Sequence, residues 1–351
     1  MKHFPKLMSI ATAVPSHVLL QQDAAHAVEQ SFSARLDDFP RLSRVFRSAG
    51  IAKRHLARPL DWYLEPRGWM EATAVYLEAA TGLFIEAANA ALGSAGLTAQ
   101  DVDTVVTVSS TGIATPSIEA RAAAAIGFRK DVQRVPVFGL GCAGGVTGLA
   151  IASRLAKAEP GSNVLLVTVE LCSLAFRLDD ASKANIVATA LFGDGAAACI
   201  LRCDAGGLAE VEMAGEHQWP ETLDIMGWDV GPDGLGVIFA QEIPPFAERN
   251  MGPAVAGILE RGGLQISDVD RFICHPGGAK VVTALERSLG LDQGALDHER
   301  AVLSDYGNMS APTVLFVLDR ALQAGLPKRA ALIAMGPGFT ASCAVLKRVA
   351  A

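Results

Sequence analysis

Short, nearly uninterrupted runs of apolar residues recur along the chain, and the longer segments between them place apolar residues at helical spacing. Runs of this kind are typical of strands that helices cover on both faces of a sheet. The pattern therefore predicts an α/β protein. The predicted strands are residues 7–12, 103–111, 164–169, 196–201, 270–275, 331–336 and 341–348. The predicted helices are residues 21–48, 72–96, 146–155 and 312–324, with an irregular, functional loop over residues 50–70.

The order of these elements repeats between the two halves of the chain. Cys142 precedes a helix in the first half, and Asn308 precedes the corresponding helix in the second. We therefore predict a duplicated α/β unit, with an N-terminal half over residues 1–205 and a C-terminal half over residues 206–351. A pseudo-twofold relation brings the two helix starts face to face, with His275 on a nearby strand end. The matching strands are 103–109 with 270–275, 164–169 with 331–336, and 196–202 with 341–348.

Composition narrows the class of protein. The chain has 351 residues, 50% of them hydrophobic, and a mean hydropathy of +0.30, so it can bury a large core. A net charge of −7 provides no basic face for nucleic acid or an anionic membrane. Six cysteines without a CxxC pair argue against a zinc site or a disulfide framework. The start of the chain lacks the apolar core of a signal peptide, and no apolar run reaches the roughly 18 residues of a membrane helix. We therefore expect a cytoplasmic protein.

One cysteine lies where chemistry is expected. Residues 139–145, Gly-Leu-Gly-Cys-Ala-Gly-Gly, follow an apolar run, so we predict a strand, a sharp turn and a helix that begins near Cys142. Free backbone N–H groups and the positive end of the helix dipole favour a thiolate there. The flanking glycines allow a substrate to approach closely. The structural alternative is a small buried cysteine in a tight turn.

Two further glycine-flanked motifs supply the partners that a cysteine nucleophile needs. His275 begins His-Pro-Gly-Gly, and Asn308 lies in Gly-Asn-Met-Ser. A histidine next to Cys142 can accept its proton and pair with the thiolate, and His and Asn N–H groups can stabilise a thioester oxyanion. Taken singly, His275 is equally explained by packing in a turn, and Asn308 by a helix N-cap or turn. Only the three together, at matched positions, are specific.

These motifs resemble the type III polyketide synthases, the chalcone-synthase-like enzymes of the thiolase superfamily, over nearly the whole chain. The resemblance implies a thiolase fold, in which duplicated βαβαβαββ-type halves form a five-layer αβαβα arrangement, and it implies a homodimer. The motifs that carry it are Ser109–Gly112 with Thr115–Ser117, Gly139–Gly145, Val169–Ser173, Ala190–Ala197, His275–Gly278, Gly307–Ser310 and Gly336–Thr340.

The resemblance assigns roles to the three residues. Cys142 looks like the nucleophile that takes the starter acyl group from coenzyme A. His275 and Asn308 look like the pair that stabilises the enolate formed when malonyl-CoA loses carbon dioxide. His275 is also expected to hold Cys142 as a thiolate at neutral pH. The implied partners are acyl-CoA and malonyl-CoA, and the scheme requires no metal and no organic cofactor.

Further positions are assigned by the same resemblance. Phe192 is similar to the aromatic gatekeeper between the coenzyme A tunnel and the cavity, with a core phenylalanine as the alternative. A second gate residue of plant members is replaced by an aliphatic residue near Val237. Asp194 is expected to brace the turn after Phe192, and Gly338 belongs to a motif expected to bind substrate. Thr115 is expected to reach the partner subunit's cavity, with a packing role as the alternative.

The residues expected to line the acyl cavity are small. Thr111, Cys172 and Ala175 leave room, which is compatible with a long aliphatic starter and an alkylpyrone or alkylresorcinol product. Coenzyme A phosphates are expected to meet basic residues whose spacing suits one side of a helix, with a solvated charged face as the alternative. These basic residues are Arg41, Arg44 and Arg47.

Three other functions compete with this interpretation. A β-ketoacyl synthase of the initiating type condenses once on an acyl carrier protein with a similar Cys-His-Asn set, but the contexts of His275 and Asn308 favour the polyketide synthase. A cysteine hydrolase of thioesters or amides has no use for an enolate-stabilising Asn308. A non-catalytic acyl-CoA binder is disfavoured because all three residues are present.

Overall fold

Strands and helices alternate through most of the chain in the computed structural model, which describes residues 4–35, 39–203 and 206–349. The strands are β1 (Lys6–Ala13), β2 (His17–Leu20), β3 (Lys53–Leu56), β4 (Thr104–Val108), β5 (Gln133–Val137), β6 (Val164–Leu171), β7 (Asp194–Arg202), β8 (Ala209–Gln218), β9 (Met226–Gly231), β10 (Gly234–Phe239), β11 (Arg271–Cys274), β12 (Arg329–Gly336) and β13 (Thr340–Arg348). The α-helices are α1 (Gln21–Phe32), α2 (Phe39–Leu42), α3 (Arg44–Ser48), α4 (Leu60–Tyr63), α5 (Trp69–Ser94), α6 (Ile118–Ile126), α7 (Gly144–Ala158), α8 (Lys183–Leu191), α9 (Ile243–Arg261), α10 (Ala279–Ser288), α11 (Asp297–Tyr306) and α12 (Thr313–Gln323).

Two half-sheets with the same strand order form the frame of the molecule. The N-terminal half-sheet has the order β1-β7-β6-β4-β5, and the C-terminal half-sheet has the order β8-β13-β12-β11. In the N-terminal half-sheet, β1 pairs antiparallel with β7, β7 antiparallel with β6, and β6 parallel with β4. In the C-terminal half-sheet, β8 pairs antiparallel with β13, β13 antiparallel with β12, and β12 parallel with β11. Pairing between β1 and β8 joins the two half-sheets. The shared topology confirms the predicted duplication, and within residues 206–349 no strand corresponds to β5.

Five layers stack in the order helix, sheet, helix, sheet, helix. α7 and α12 lie in the middle, where they pack with apolar side chains of both half-sheets into one core. α5 covers the outer face of the N-terminal half-sheet, and α9 with α10 covers that of the C-terminal half-sheet. The arrangement is the predicted α/β fold with αβαβα layers. Core residues that represent the two central helices and the two half-sheets are Leu149, Val314, Leu166 and Leu332.

Glycines let the starts of α7 and α12 approach each other closely. A Cβ on Gly145 would lie 2.3 Å from the Ala311 carbonyl oxygen, and a Cβ on Gly144 would lie 2.7 Å from Val108 Cγ1. Neither contact is possible for a larger residue without movement of the backbone or of the packed strand. Gly145 is therefore required by the contact between the halves, and Gly144 mainly by the packing of α7 on β4.

Two predictions about the N-terminal region are correct only in part. The predicted helix over residues 21–48 is divided into α1, a 3-10 turn at Ser33–Arg35, α2 and α3, with residues 36–38 outside the described ranges. The predicted irregular loop over residues 50–70 contains α4 and β3, which pairs with β2. The polar sequence of β3, Lys-Arg-His-Leu, lacks the apolar run by which the other strands are predicted.

Two expectations concern the chain as a whole. In the described ranges, no helix is both long and apolar enough to cross a bilayer. The division of the chain into residues 1–205 and 206–351 stays a prediction. The remaining predicted strands and helices are present, with ends that differ by a few residues; the strand over 103–111, for example, is the shorter β4.

Candidate active site

Cys142 lies at the junction between a strand and a central helix. β5 ends at Val137, and residues 141–143 form a 3-10 turn that runs directly into α7. Gly141 has a φ of 48°, and a Cβ there would lie 2.6 Å from Pro337 Cδ, so the turn requires glycine. The strand, turn and helix predicted around Cys142 are confirmed, and its side chain is buried.

His275 follows the last residue of β11, the outermost strand of the C-terminal half-sheet. Its backbone N–H donates to the Ile333 carbonyl at 2.8 Å, which continues the pairing with β12. Its side chain is buried, and neither ring nitrogen has a hydrogen-bond partner among the described residues. Backbone pairing and packing therefore hold the imidazole, and both nitrogens keep their hydrogen-bonding capacity.

Asn308 brings the three motifs together. Its Oδ1 lies 4.0 Å from Cys142 Sγ, and its Nδ2 donates to the Gly277 carbonyl, in the turn after His275, at 3.4 Å. Oδ1 also accepts the Ser310 N–H at 2.8 Å, so the turn role considered as an alternative is present as well. The structure thus places the thiol, the amide and the histidine turn at one buried point between the two central helices.

Burial affects the protonation of the site and opposes the predicted thiolate–imidazolium pair. Burial raises the pKa of the Cys142 thiol to about 11, although hydrogen bonds with Ser310 and Asn308 oppose the shift. Burial lowers the pKa of His275 to about 3. Removal from water therefore favours a neutral thiol and a neutral imidazole in the free enzyme. The ion pair between Cys142 and His275 stays a prediction.

A buried carboxylate that the sequence analysis did not select lies beside the site. Glu170 Oε2 accepts the Ser110 N–H at 2.9 Å and the Thr111 hydroxyl at 2.7 Å, and Oε1 has no partner among the described residues. Burial raises the pKa of Glu170 to about 7, and its charge adds to the raised pKa of Cys142. The available signal was an acidic residue within the otherwise apolar strand β6.

Phe192 and Asn308 are paired through their backbones. The Asn308 N–H donates to the Leu191 carbonyl at 2.8 Å, and the Gly193 N–H donates to the Asn308 carbonyl at 3.0 Å. We call this pairing the 192–308 bridge. The residue predicted as a gate is therefore fixed directly to the residue predicted to act in catalysis.

An aromatic hairpin covers Phe192. The Phe192 ring meets Trp228 and Phe239, on β9 and β10, edge to face at centroid distances of 6.3 and 6.4 Å. The Trp228 indole N–H donates to the Ser110 carbonyl at 2.7 Å. Val237, expected near a second gate, is the cross-strand neighbour of Trp228. No pattern in the sequence predicts this hairpin, because its glycine-rich, mixed sequence lacks a continuous apolar run.

Two clefts lie near the site, and neither is lined by Cys142, His275 or Asn308 themselves. The larger cleft, of about 740 Å³, has Thr111 and Ala175 in its wall, and the smaller cleft, of about 50 Å³, has Cys172 and Phe192. The structure thus places each of the three small residues predicted for the cavity on a cleft wall. The aromatic residues on the wall of the larger cleft are Trp62, Tyr63, Trp69, Tyr76 and Phe176.

The residues predicted at the periphery have different surroundings. Gly338, with a φ of 70°, lies between β12 and β13, next to the Pro337 that packs on the turn of Cys142. Asp194 accepts the Ala57 N–H at 2.7 Å and the Ser173 N–H at 2.8 Å, so its carboxylate ties the start of β7 to the segments that follow β3 and β6. Its role in bracing the turn after Phe192 stays a prediction. Burial raises the pKa of Asp194 to about 6. Thr115 is exposed.

The predicted basic helix face is divided between two consecutive short helices. Arg41 belongs to α2, whereas Arg44 and Arg47 belong to α3, and Ser43 between them keeps helical backbone angles, with φ −58° and ψ −21°. All three arginines are exposed, and none lies on the wall of either cleft. Their contact with coenzyme A stays a prediction. Among the described residues, no group of three or more His, Cys, Asp or Glu side chains could hold a metal ion.

Comparison with known proteins decides the family. Residues 3–205 match the family model for the N-terminal domain of chalcone and stilbene synthases, and residues 210–350 match that for the C-terminal domain. The chain belongs to the chalcone and stilbene synthase family. These are type III polyketide synthases, which are acyl-transferring enzymes, so the family assignment favours this activity over an initiating β-ketoacyl synthase, a hydrolase or a non-catalytic binder.

Relatives of this polyketide synthase span its length. A 1,3,6,8-tetrahydroxynaphthalene synthase of Streptomyces peucetius subsp. caesius is 40% identical, over 97% of this chain and 92% of the relative. The putative chalcone synthase of Bacillus subtilis (strain 168) is 35% identical, over 95% of this chain and 96% of the relative. The crystal structure of the tetrahydroxynaphthalene synthase of Streptomyces coelicolor A3(2), described as a bacterial type III polyketide synthase, superposes with a TM-score of 0.93 at 29% identity, covering 99% of this chain and all of that chain.

Proposed function

We propose that Cys142 is the nucleophile of an iterative condensation and that His275 and Asn308 assist it. The observation that carries the proposal is the meeting of the Cys142 thiol, the Asn308 amide and the turn of His275 within 4.0 Å contacts at the centre of the molecule. The neutral imidazole accepts the thiol proton as sulfur attacks the thioester carbonyl of the starter, and the departing coenzyme A thiolate takes that proton. The product of this step is an acyl thioester on Cys142.

Decarboxylation of malonyl-CoA supplies the next nucleophile. Loss of carbon dioxide leaves negative charge on the thioester oxygen, and N–H groups of His275 and Asn308 can donate to that oxygen. A neutral imidazole suits this task because it donates one hydrogen bond without giving up its proton. The resulting carbanion attacks the thioester carbonyl on Cys142, a carbon–carbon bond forms, and the bond to sulfur breaks. The sulfur leaves as a thiolate, which takes a proton from water or attacks the next acyl thioester, and the extended chain leaves on coenzyme A.

A long aliphatic acyl-CoA starter is the substrate that we favour, with an alkylpyrone or alkylresorcinol as the product. The support is the larger cleft, of about 740 Å³, whose wall contains the small residues Thr111 and Ala175 and five aromatic side chains, along with charged residues. The aromatic part of this wall suits an alkyl chain. A Mycobacterium tuberculosis relative named "Alpha-pyrone synthesis polyketide synthase-like Pks18" is 29% identical over 94% of this chain and 88% of the relative, which adds support.

A second candidate is the synthesis of 1,3,6,8-tetrahydroxynaphthalene. The supporting observation is the 40% identity to the Streptomyces peucetius synthase of that name. The aromatic residues that crowd Phe192, namely Trp228 and Phe239, are also compatible with a site that builds a flat, fused-ring product.

A product assay separates the two candidates. The purified protein is incubated with malonyl-CoA alone and with acyl-CoA starters from acetyl to long-chain, and products are identified by mass spectrometry. Alkylpyrones or alkylresorcinols that require a long-chain starter support the first candidate, whereas tetrahydroxynaphthalene from malonyl-CoA alone supports the second. Cys142→Ala is the control and should form neither. An unchanged product yield with Cys142→Ala would contradict the proposed role of the thiol.

Two further proposals concern the assembly and its requirements. We infer a homodimer, which light scattering of the purified protein tests directly: the mass should be twice that of the 36.7 kDa chain. We also propose that condensation needs no metal or organic cofactor. Activity should therefore persist after dialysis against a chelator, and a loss that added metal restores would contradict this.

A further inference from the structure

A buried carboxylate joins the strand end that carries His275 to the helix that leads to Asn308. We propose that Glu299 is a positioning residue, which sets the spacing between His275 and Asn308 for decarboxylation of malonyl-CoA. The inference rests on the proposed roles of these two residues and is independent of the starter. Glu299 itself lies one residue layer away from the reacting atoms.

The carboxylate completes the hydrogen bonding of a sheet edge. β11 is the outermost strand, so its outer edge has no strand to accept its N–H groups. Glu299 Oε1 accepts the Cys274 N–H at 2.8 Å. The next N–H, that of His275, points the opposite way and donates to Ile333 in β12. Hydrogen bonds on both edges thus fix the last residue of β11 and the first residue after it.

The helix that carries Glu299 also leads to Asn308. Glu299 lies in the first turn of α11, and α11 ends two residues before Asn308. A helix of this length spans about 15 Å and is stiff. Val302 and Leu303 anchor α11 in the core, and the 192–308 bridge fixes the chain beyond its end. One end of α11 therefore holds the strand of His275, and the other end holds the amide.

A negative charge on Glu299 carries a desolvation cost that its neighbours offset only in part. The Glu299 side chain is fully buried, and Oε2 has no hydrogen-bond partner among the described residues, with Arg271 Nη2 at 3.8 Å. Burial raises the pKa of Glu299 to about 7, although the Cys274 N–H and Arg271 oppose the shift. A buried leucine would avoid this cost. What a leucine cannot provide is the acceptor for the Cys274 N–H.

The test compares two substitutions at Glu299 with a matched control. Glu299→Leu removes the acceptor, and Glu299→Gln keeps an oxygen at the same position without the charge. Glu119→Leu is the control: Glu119 is also a fully buried glutamate in the first turn of a helix, with an arginine at 3.7 Å and one unpartnered oxygen, but its helix, α6, leads to no proposed catalytic residue. For each protein we measure thermal unfolding, kcat and KM for carbon dioxide release from malonyl-CoA, and acyl loading of Cys142 by intact mass.

We expect Glu299→Leu to lower kcat for carbon dioxide release about 10- to 100-fold, the effect of a small misplacement of catalytic groups. KM for malonyl-CoA should change little, and Glu299→Gln should restore most of the rate. Glu119→Leu should lower the unfolding temperature and leave kcat unchanged. Acyl loading should fall less than carbon dioxide release, because loading does not need the spacing to Asn308.

Several results would overturn the proposal. They are a Glu299→Leu enzyme with the wild-type kcat, an equal loss of kcat in Glu119→Leu, and a Glu299→Gln enzyme as slow as Glu299→Leu. If Glu299→Leu does not fold, Glu299→Asp replaces it, since the shorter side chain withdraws the acceptor and should give an intermediate loss; a wild-type kcat there contradicts the proposal too. Wild-type protein that releases no carbon dioxide, or His275→Ala with the wild-type rate, would instead contradict the proposed function.

Discussion

The two central helices, α7 and α12, occupy equivalent places in the duplicated frame. The residues that precede them, Cys142 and Asn308, are nevertheless held in place in different ways. Cys142 belongs to a turn that continues directly into α7, and glycines press that turn against the other half. Asn308 stands apart from α12 and is held by the 192–308 bridge. The nucleophile is thus placed by packing between the halves, and the amide is placed by local hydrogen bonds. Substitutions at the start of α7 should therefore harm folding and chemistry together, whereas substitutions of Asn308 should harm chemistry far more than folding.

The largest effect is expected where the two helices touch. Gly145→Ala introduces a Cβ 2.3 Å from the Ala311 carbonyl oxygen. We expect the free energy of unfolding to fall by about 2–3 kcal/mol or more, as for an overpacked core. Most of the activity should be lost as well. Gly82→Ala in α5 is the matched control, because nothing lies within 4 Å of its Cβ position, and it should gain about 0.5–1 kcal/mol from helix propensity. Thermal and denaturant unfolding measure both; equal stability of the two variants would refute the packing argument.

The next effect separates chemistry from folding. Asn308→Ala removes the amide that we propose as a donor to the enolate, and we expect carbon dioxide release to fall about 100- to 1000-fold. The unfolding temperature should fall only modestly, because the side-chain hydrogen bonds to Ser310 and Gly277 are lost while the 192–308 bridge, which uses only backbone groups, remains. Acyl loading of Cys142 should persist. A loading rate that falls as far as decarboxylation would show that Asn308 serves the nucleophile instead.

The protonation of Cys142 sharpens the comparison further. A thiol with a pKa of about 11 is almost entirely protonated at pH 7, and its thiolate fraction rises about tenfold with each pH unit below that pKa. Alkylation of the free enzyme by iodoacetamide should therefore accelerate steadily from pH 6 towards pH 10. A resting ion pair with His275 would give a plateau through neutral pH. Cys142→Ala provides the background rate from other cysteines.

The smallest effect is expected at the hairpin of β9 and β10, which packs on Phe192. This hairpin belongs to the C-terminal half and has no counterpart among the described residues of the N-terminal half. Trp228→Phe keeps a ring against Phe192 but removes the N–H that donates to the Ser110 carbonyl at 2.7 Å. The loss of one hydrogen bond, about 1 kcal/mol, should alter the ratio of products several-fold and leave the total turnover near the wild-type value. Product ratios by mass spectrometry measure this. An unchanged ratio would mean that the hairpin covers the site without shaping it.

Local patterns were sufficient for the frame and for the three central residues. The apolar runs that became β4, β6 and β12 and the glycines around Cys142 are features of neighbouring residues, so the sequence alone predicts them. Protonation was not predictable in this way, because the pKa values of Cys142 and His275 depend on removal from water by segments far away in the chain. The burial of Glu170 and Glu299 was also not predictable, because no short sequence motif indicates it. The hairpin with Trp228 was not predictable either, because it is recognised by its contacts with Phe192 and Ser110 and has no distinctive pattern in the sequence.

The 192–308 bridge ties the evolutionary history of the two halves together. Leu191 and Gly193 come from one copy of the duplicated unit and Asn308 from the other, and their backbones are hydrogen bonded in a fixed register. An insertion or deletion next to the 192–308 bridge would therefore shift the proposed gate and the Asn308 amide together. A chimera that takes one half from a distant homologue should be active only if the hydrogen-bond register of the 192–308 bridge is kept. The two halves can differ in sequence elsewhere, but at this bridge each constrains the other.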